Sequence, residues 1–285
     1  MHRHQHFDLW LHDDEELIPL VQSDVHERKT LHEWPLSCVQ RLTLADGRKL
    51  IYKTQFGPTV EPEVYATARS DLLPCAQTVY QSNHHVCMLI EFIDGPRIRD
   101  LHLPEEEVVR IGRAVISQIA TQMTPHAGAP PCYLDVSDEK KWKAHISAML
   151  KGLRDLIDRG KFRLVKEVTV CDLEHWATSE SVLSVIRAEP GYVHRDLGGD
   201  NLFVLAQGYR VIDWQRPILG PPNIDLAILL ESLGFDPVPY VGEGVVRVHK
   251  LLTAHWLTEC AVTWFPEGIP GYDEQIVQLA SKMAS

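Results

Sequence analysis

The sequence predicts an α+β fold: a small, mainly antiparallel sheet with one helix, then a larger and mostly helical region. Three observations carry that expectation. Residues 28–56 alternate short β-prone runs with turn residues. A turn cluster, Ile93, Asp94, Gly95 and Pro96, closes the strand-rich part. From residue 104 onward, apolar residues recur at helical spacing. The expected division is residues 1–94 and residues 95–285.

His2, His4, His6 and His12 cluster near the start. Histidines in such a pattern can bind a metal. A frayed polar terminus is the simpler expectation, since chain ends are usually poorly ordered. Asp13, Asp14, Glu15 and Glu16 read as a solvated acidic turn. The first strand is Arg28 to Glu33, followed by a turn at Trp34, Pro35, Leu36 and Ser37. Cys38 to Leu44 alternates Cys38, Gln40, Leu42 and Leu44 against Val39, Arg41 and Thr43. Asp46-Gly47 is a strong hairpin signal. Lys49 to Thr54 is the third strand and carries Lys53 after the apolar Leu50, Ile51 and Tyr52. Glu61 to Arg69 reads as a helix, with Pro62 and two acids in its first turn. Gln77 to Tyr80 and Val86 to Phe92 supply two more strands.

In the second part, Glu105, Glu106 and Glu107 open a helix whose Val108, Ile111, Val115 and Ile119 share one face. Another starts at Asp138 and Glu139, striped by Trp142, Ile146, Met149, Leu153 and Leu156, and stops near Gly160. A third spans Asp172 to Arg187, a fourth residues 240–263, and a last one begins near Tyr272. Such stripes are core. Trp142 and Trp176 are expected to pack there rather than against a bound cation.

Net charge is −11, from 28 basic and 39 acidic residues. That argues against non-specific nucleic-acid binding, which needs a basic footprint. The six cysteines are scattered without a C-x-x-C pair, so no zinc site or disulfide framework is expected. Neither a signal peptide nor a membrane span is legible, and a cytoplasmic protein with reduced thiols is the expectation.

The chemistry gathers at one stretch. His194, Asp196 and Asn201 lie in a polar loop before the apolar run Leu202 to Leu205, and Val211 and Ile212 then lead into Asp213 and Trp214. A hairpin there brings Asp196, Asn201 and Asp213 to one end: a base and two oxygen ligands, the set that phosphoryl transfer from a Mg-nucleotide needs. The alternative is a surface hairpin with polar turns.

The pattern His194-x-Asp196-x-x-x-x-Asn201, then Ile212-Asp213-Trp214, then Gly220-Pro221-Pro222-x-x-Asp225-Leu226-Ala227, resembles the aminoglycoside phosphotransferase and choline kinase group of small-molecule kinases. The resemblance implies a bilobal protein-kinase-like fold, with a nucleotide-binding N-lobe and a helical C-lobe. It implies Asp196 as catalytic base, Asn201 and Asp213 as Mg²⁺ ligands, and His194 and Asp225 as supports of the loop. Lys53 maps onto the strand lysine that holds the α/β phosphates. Its helix partner maps onto Glu63, with Glu61 as second choice. The backbone of Glu91 and Ile93 is the expected adenine contact.

The sequence also departs from the group. The first turn holds no glycine, which leaves Ser37 and backbone amides to meet phosphate. The loop reads Leu197-Gly198-Gly199-Asp200 where relatives commonly have Leu-His-Pro-Gly, so Asp200 puts an extra acid beside Asn201. Gln215 stands where many relatives have a second acid. Trp214-Gln215 after Asp213, and only eleven residues between Asp213 and Asp225, leave no room for a peptide platform. Arg195 is expected to be solvated or salt-bridged.

The function implied is transfer of a phosphoryl group from ATP or GTP to a small-molecule hydroxyl. An aminoglycoside or other antibiotic is the first acceptor considered; choline, homoserine or a sugar comes next. Glu231, Glu259 and Asp273 are acids that could meet an amine. A nucleotide-binding pseudoenzyme is the alternative.

Overall fold

In the computed structural model, residues 1–123 and 131–284 are described. The chain folds as two compact units. The first holds Met1–His102, Thr121–Tyr133 and Asp200–Arg216; the second holds Leu103–Ala120, Leu134–Gly199 and Pro217–Ser285. The first unit therefore runs past the boundary at residue 94 and takes up a later hairpin.

The first unit begins with β1 (His2–Arg3), β2 (Trp10–Leu11) and α1 (Asp14–Val21). Then come β3 (Val25–Trp34), β4 (Ser37–Leu44), β5 (Lys49–Phe56), α2 (Glu61–Thr67), β6 (Ala76–Gln81) and β7 (His85–Glu91). The five longer strands form one antiparallel sheet in the order β3-β4-β5-β7-β6. β5 is the middle strand, and Lys53 pairs in register with Val39 and Met88.

The N-terminus corrects two expectations. It is folded rather than frayed, because its apolar residues cover a sheet face that would otherwise meet water. Leu9, Leu11, Leu17 and Val21 pack on Cys38, Leu42, Leu44, Tyr52, Cys87 and Leu89. The acidic run is not a loose turn either. Asp13 precedes α1, and the Glu16 carboxylate reaches back to accept the Asp13 N–H at 2.8 Å. The acids thereby meet the unsatisfied N–H groups at a helix start. On the opposite sheet face Val86, Met88 and Ile90 pack with Ile51, Ala76 and Tyr65 of α2.

The second unit holds most of α3 (Glu105–Gln122), then β8 (Leu134–Asp135), α4 (Glu139–Asp158), α5 (Glu167–Thr178), α6 (Glu180–Ile186) and β9 (Gly191–Val193). β10 (Leu202–Leu205) and β11 (Gly208–Val211) return to the first unit as a hairpin. β12 (Ile218–Gly220), α7 (Ile224–Ser232), α8 (Val238–Val241), α9 (Glu243–Glu259) and α10 (Ile269–Ala284) complete the second. There β12 pairs with both β8 and β9.

Asp138 caps α4 by accepting the Lys141 N–H at 2.8 Å. The helix expected over 172–187 is two helices. Ser179 breaks it in an extended conformation, and its hydroxyl donates to the Trp176 carbonyl. The long helix expected from residue 240 is also divided, by Gly242 at φ +80°. Trp142 is fully buried, as its stripe implied. Trp176 meets a cation from its own unit: the Arg247 guanidinium lies 4.5 Å from its ring. Among the described residues no helix is long and apolar enough to cross a membrane.

Candidate active site

β5 alternates its side chains between two sheet faces. Tyr52 and Thr54 point to the N-terminal layer. The Tyr52 hydroxyl accepts the His12 N–H at 2.9 Å, and the Thr54 hydroxyl donates to the Trp10 carbonyl at 2.8 Å. Lys53 and Gln55 point the other way, towards α2. The middle strand is thus held from behind while it presents its lysine.

The Lys53 ammonium is buried and bonds two carboxylates. Its Nζ lies 2.6 Å from Glu61 Oε2 and 2.6 Å from Asp213 Oδ1. Gln55 Nε2 donates to the same Glu61 oxygen at 3.0 Å. Burial opposes the charge on Lys53, but Asp213 and Glu61 overcome it and raise its pKa. The lysine stays charged.

This geometry corrects the partner assignment. Glu61, not Glu63, pairs with Lys53. Glu63 is exposed, and its carboxylate accepts a 3.4 Å contact from Gln81. The reason is the helix start: Val60 N–H donates to the Gln215 carbonyl at 3.0 Å, which ties the first turn of α2 to the chain just past Asp213. The first residue of the helix then faces the lysine, and the third faces solvent.

Asn201 and Asp213 lie at one end of the β10–β11 hairpin. Leu202 pairs with Val211, and beyond that pair the Ile212 N–H donates to the Asn201 carbonyl at 3.1 Å. Asp213 has φ +70°, rare for a side chain with a Cβ. Such strain costs about 1–3 kcal/mol and is concentrated at functional sites. The amide oxygen of Asn201 and the carboxylate of Asp213 are hard oxygen donors of the kind Mg²⁺ takes.

Asp200 is no spare acid beside them. One oxygen accepts from Arg97 at 3.0 Å, and the other accepts from Arg99. Ser37 is buried, and its Oγ accepts the Trp34 indole N–H at 2.6 Å. It braces the glycine-free turn, and its burial does not suit the expected phosphate contact. Glu91 ends β7; its N–H donates to the Cys75 carbonyl at 2.8 Å, and the chain passes into Ile93 without regular structure.

The second unit carries the other half of the motif. β9 leads into His194, which is buried. Asp225, at the start of α7, accepts the N–H of His194 on one oxygen and that of Arg195 on the other, both at 2.8 Å. Burial pushes the Asp225 carboxyl up to about 7, against the pull of those two N–H groups. The Asp196 N–H donates to His194 Nδ1 at 3.2 Å, so the ring proton of neutral His194 sits on Nε2. Asp196 itself is exposed. Gly198 N–H closes a turn onto the Asp196 carbonyl at 2.8 Å, and Gly199 N–H donates to Ser232 Oγ at 2.9 Å.

Arg195 is neither solvated nor simply salt-bridged. It has φ +69°, and its Nη2 donates to the Leu252 carbonyl of α9 at 2.5 Å.

All three acids considered for an amine have partners within the protein. Lys250 lies 2.7 Å from Glu231. Burial opposes ionisation of Glu231, but bonds from His249 and Lys250 hold its carboxyl at about 2. Asp273 accepts the N–H groups of Arg163, Leu164 and Val165 at 2.7, 2.8 and 2.8 Å. Glu259 accepts the Trp264 indole N–H at 3.2 Å.

Among the described residues, one cluster brings an N-terminal histidine near other ligating side chains. Ligating atoms of His4, Glu33 and Cys38 lie within 4.8 Å of one another. However, His4 Nδ1 accepts the N–H groups of His6 and Phe7 at 3.2 and 3.3 Å. The ring proton is then on Nε2, facing Glu33 at 3.2 Å, and no lone pair is left for an ion.

The model of the family described as "Phosphotransferase enzyme family" matches residues 61–257. No curated protein matches the chain. Among solved structures, a thermostable mutant of aminoglycoside phosphotransferase APH(4)-Ia is similar with TM-score 0.60 and 14% identity, over 96% of this chain and 100% of that one. The streptomycin–ATP–APH(2")-IIa ternary complex gives TM-score 0.58 and 16% identity, over 96% and 97%. Macrolide 2'-phosphotransferase MphH from Brachybacterium faecium gives TM-score 0.58 and 14% identity, over 94% and 97%.

Proposed function

The chain belongs to the phosphotransferase enzyme family, and from that premise we propose that it transfers the γ-phosphoryl group of ATP to a hydroxyl of a small antibiotic-like molecule bearing amino or sugar groups. The observation that carries the proposal is the buried lysine held between Glu61 and Asp213. A lysine so fixed is a point charge for the inner phosphates of a nucleotide. Asn201 and Asp213 would hold magnesium, which when bound neutralises charge on the phosphates. The backbone of Glu91 and Ile93 would meet the adenine.

Asp196, exposed at the tip of a braced loop, accepts the proton of the acceptor hydroxyl. That oxygen forms a bond to phosphorus as the bond to the ADP oxygen breaks. Asp225 fixes the loop through two backbone N–H groups and does not exchange a proton with substrate. His194, locked as the Nε2–H tautomer, supports the same turn.

The test is ADP formation across a panel of aminoglycosides, macrolides, amino alcohols and sugars. At least one acceptor should stimulate turnover. Asp196→Ala should then lower kcat by about 10²-fold or more while Mg-ATP affinity holds. Undiminished turnover in that variant would overturn the assignment of the base.

A further inference from the structure

The loop between Asp196 and Asn201 holds two glycines and an aspartate. The glycines have no side chains with which to fix Asn201. Asp200 does, and both its oxygens are engaged: Arg97 Nη1 donates to Oδ1 at 3.0 Å, and Arg99 Nη1 donates to Oδ2. Arg97 is in turn held by Asp100, to which its Nε and Nη2 donate at 3.0 and 3.3 Å. The backbone makes the same junction. Arg97 bridges Phe203 in antiparallel fashion, and Val204 N–H donates to the Pro96 carbonyl at 3.1 Å. Ile98, between the two arginines, is buried and anchors their short 3₁₀ turn.

We propose that Arg97 and Arg99 are positioning residues that act through Asp200 to set Asn201 for its metal. The inference rests on the nucleotide-transfer reading above. Its physical content is twofold. The two guanidiniums pin the residue immediately before Asn201, while Ile212 N–H pins the Asn201 carbonyl from the other side at 3.1 Å. They also cancel the charge of Asp200, which would otherwise be a competing acid one residue from a metal ligand. An Arg–Asp–Arg clamp thus does for a Gly-Gly loop what a stiffer loop sequence does without side-chain help.

The sign of one effect separates this from plain electrostatics. Removing two positive charges near a cation site tightens cation binding if charge alone matters. Removing a positioning clamp weakens it, by about tenfold for groups that orient a metal ligand. The experiment measures Mn²⁺ binding to the full chain with ADP, by electron paramagnetic resonance of free Mn²⁺. R97Q/R99Q should bind Mn²⁺ about tenfold more weakly, as should Asp200→Asn. The triple variant should be no weaker than either, because the groups act as one unit. Asp200→Glu, which keeps the carboxylate, should recover much of the affinity and also serves should the neutral variants misfold. Unchanged or tighter Mn²⁺ binding in R97Q/R99Q overturns the inference, as do effects that multiply in the triple variant. A wild-type chain that binds no Mn²⁺–ADP overturns the nucleotide reading and this inference with it.

Discussion

Glu61→Gln and Glu63→Gln remove the same charge from the same helix, two residues apart, and should have unequal consequences. Glu61 is fully buried, and its oxygen lies 2.6 Å from a lysine whose side chain is 6% exposed. Removing one partner of a buried ion pair costs about 3–5 kcal/mol when the other charge is left alone. Lys53 is not left alone, because Asp213 stays at 2.6 Å. The glutamine also keeps an oxygen to accept from the lysine, and only the charge is lost. Roughly half the penalty should therefore remain, about 2 kcal/mol, or about a thirtyfold change in the folding equilibrium. Glu63 is exposed with one long contact to Gln81, so its substitution should fall within about 0.5 kcal/mol of wild type. Urea unfolding gives both values, and the KM for nucleotide supplies the functional counterpart. KM should rise several-fold in Glu61→Gln, as Lys53 swings towards Asp213, and stay level in Glu63→Gln. If Glu63→Gln proved the more damaging on either measure, the helix register on which the site is built would be wrong.

Two further outcomes are expected. His255 is packed against His145, with ring centroids 5.8 Å apart, and burial together with the nearby Arg195 lowers its pKa to about 4 despite the opposing Glu259. The unfolded chain takes a proton on this histidine below about pH 6.5, and the folded chain refuses it until about pH 4, so stability should fall across that window by up to about 3 kcal/mol; His255→Gln should flatten the fall in urea titrations between pH 7 and pH 4. Leu17→Ala, at a fully buried position of the N-terminal layer, should lower stability by about 3 kcal/mol, and a change under about 1 kcal/mol would show that the layer lies loosely on the sheet.

Parts of the site were legible because short spacings carry them. Asn201 and Asp213 flank one hairpin whose pairing brings them to the same end, and Asp225 takes the backbone N–H groups of His194 and Arg195, the loop support that the resemblance implied. Lys53 was legible too, as a cation on a strand just after three apolar residues. Its partner was not. Glu61 and Glu63 both suit a first helical turn, and the packing of Tyr65 on the sheet together with the bond from Val60 to the Gln215 carbonyl, 155 residues away in the chain, sets α2 so that Glu61 faces inward. The fixing of Asp200 by Arg97 and Arg99 was hidden for the same reason, since the partners are about a hundred residues apart. The N-terminal layer had a local signal in Leu9, Leu11, Leu17 and Val21, but a run of histidines and acids masked it.

The sequence by itself determined the order β3, β4, β5, α2, β6 and β7 along the chain, the turn at Asp46-Gly47, and the residue types in the segment from His194 to Asp213. These follow from periodicity and local backbone preference, which act over a few residues. Only the tertiary structure decided which carboxylate meets Lys53, what neutralises Asp200, and that the first twenty residues belong to the core. Those outcomes depend on desolvation: whether a charge or an apolar side chain is removed from water is set by what packs over it, and that neighbour comes from a distant part of the chain.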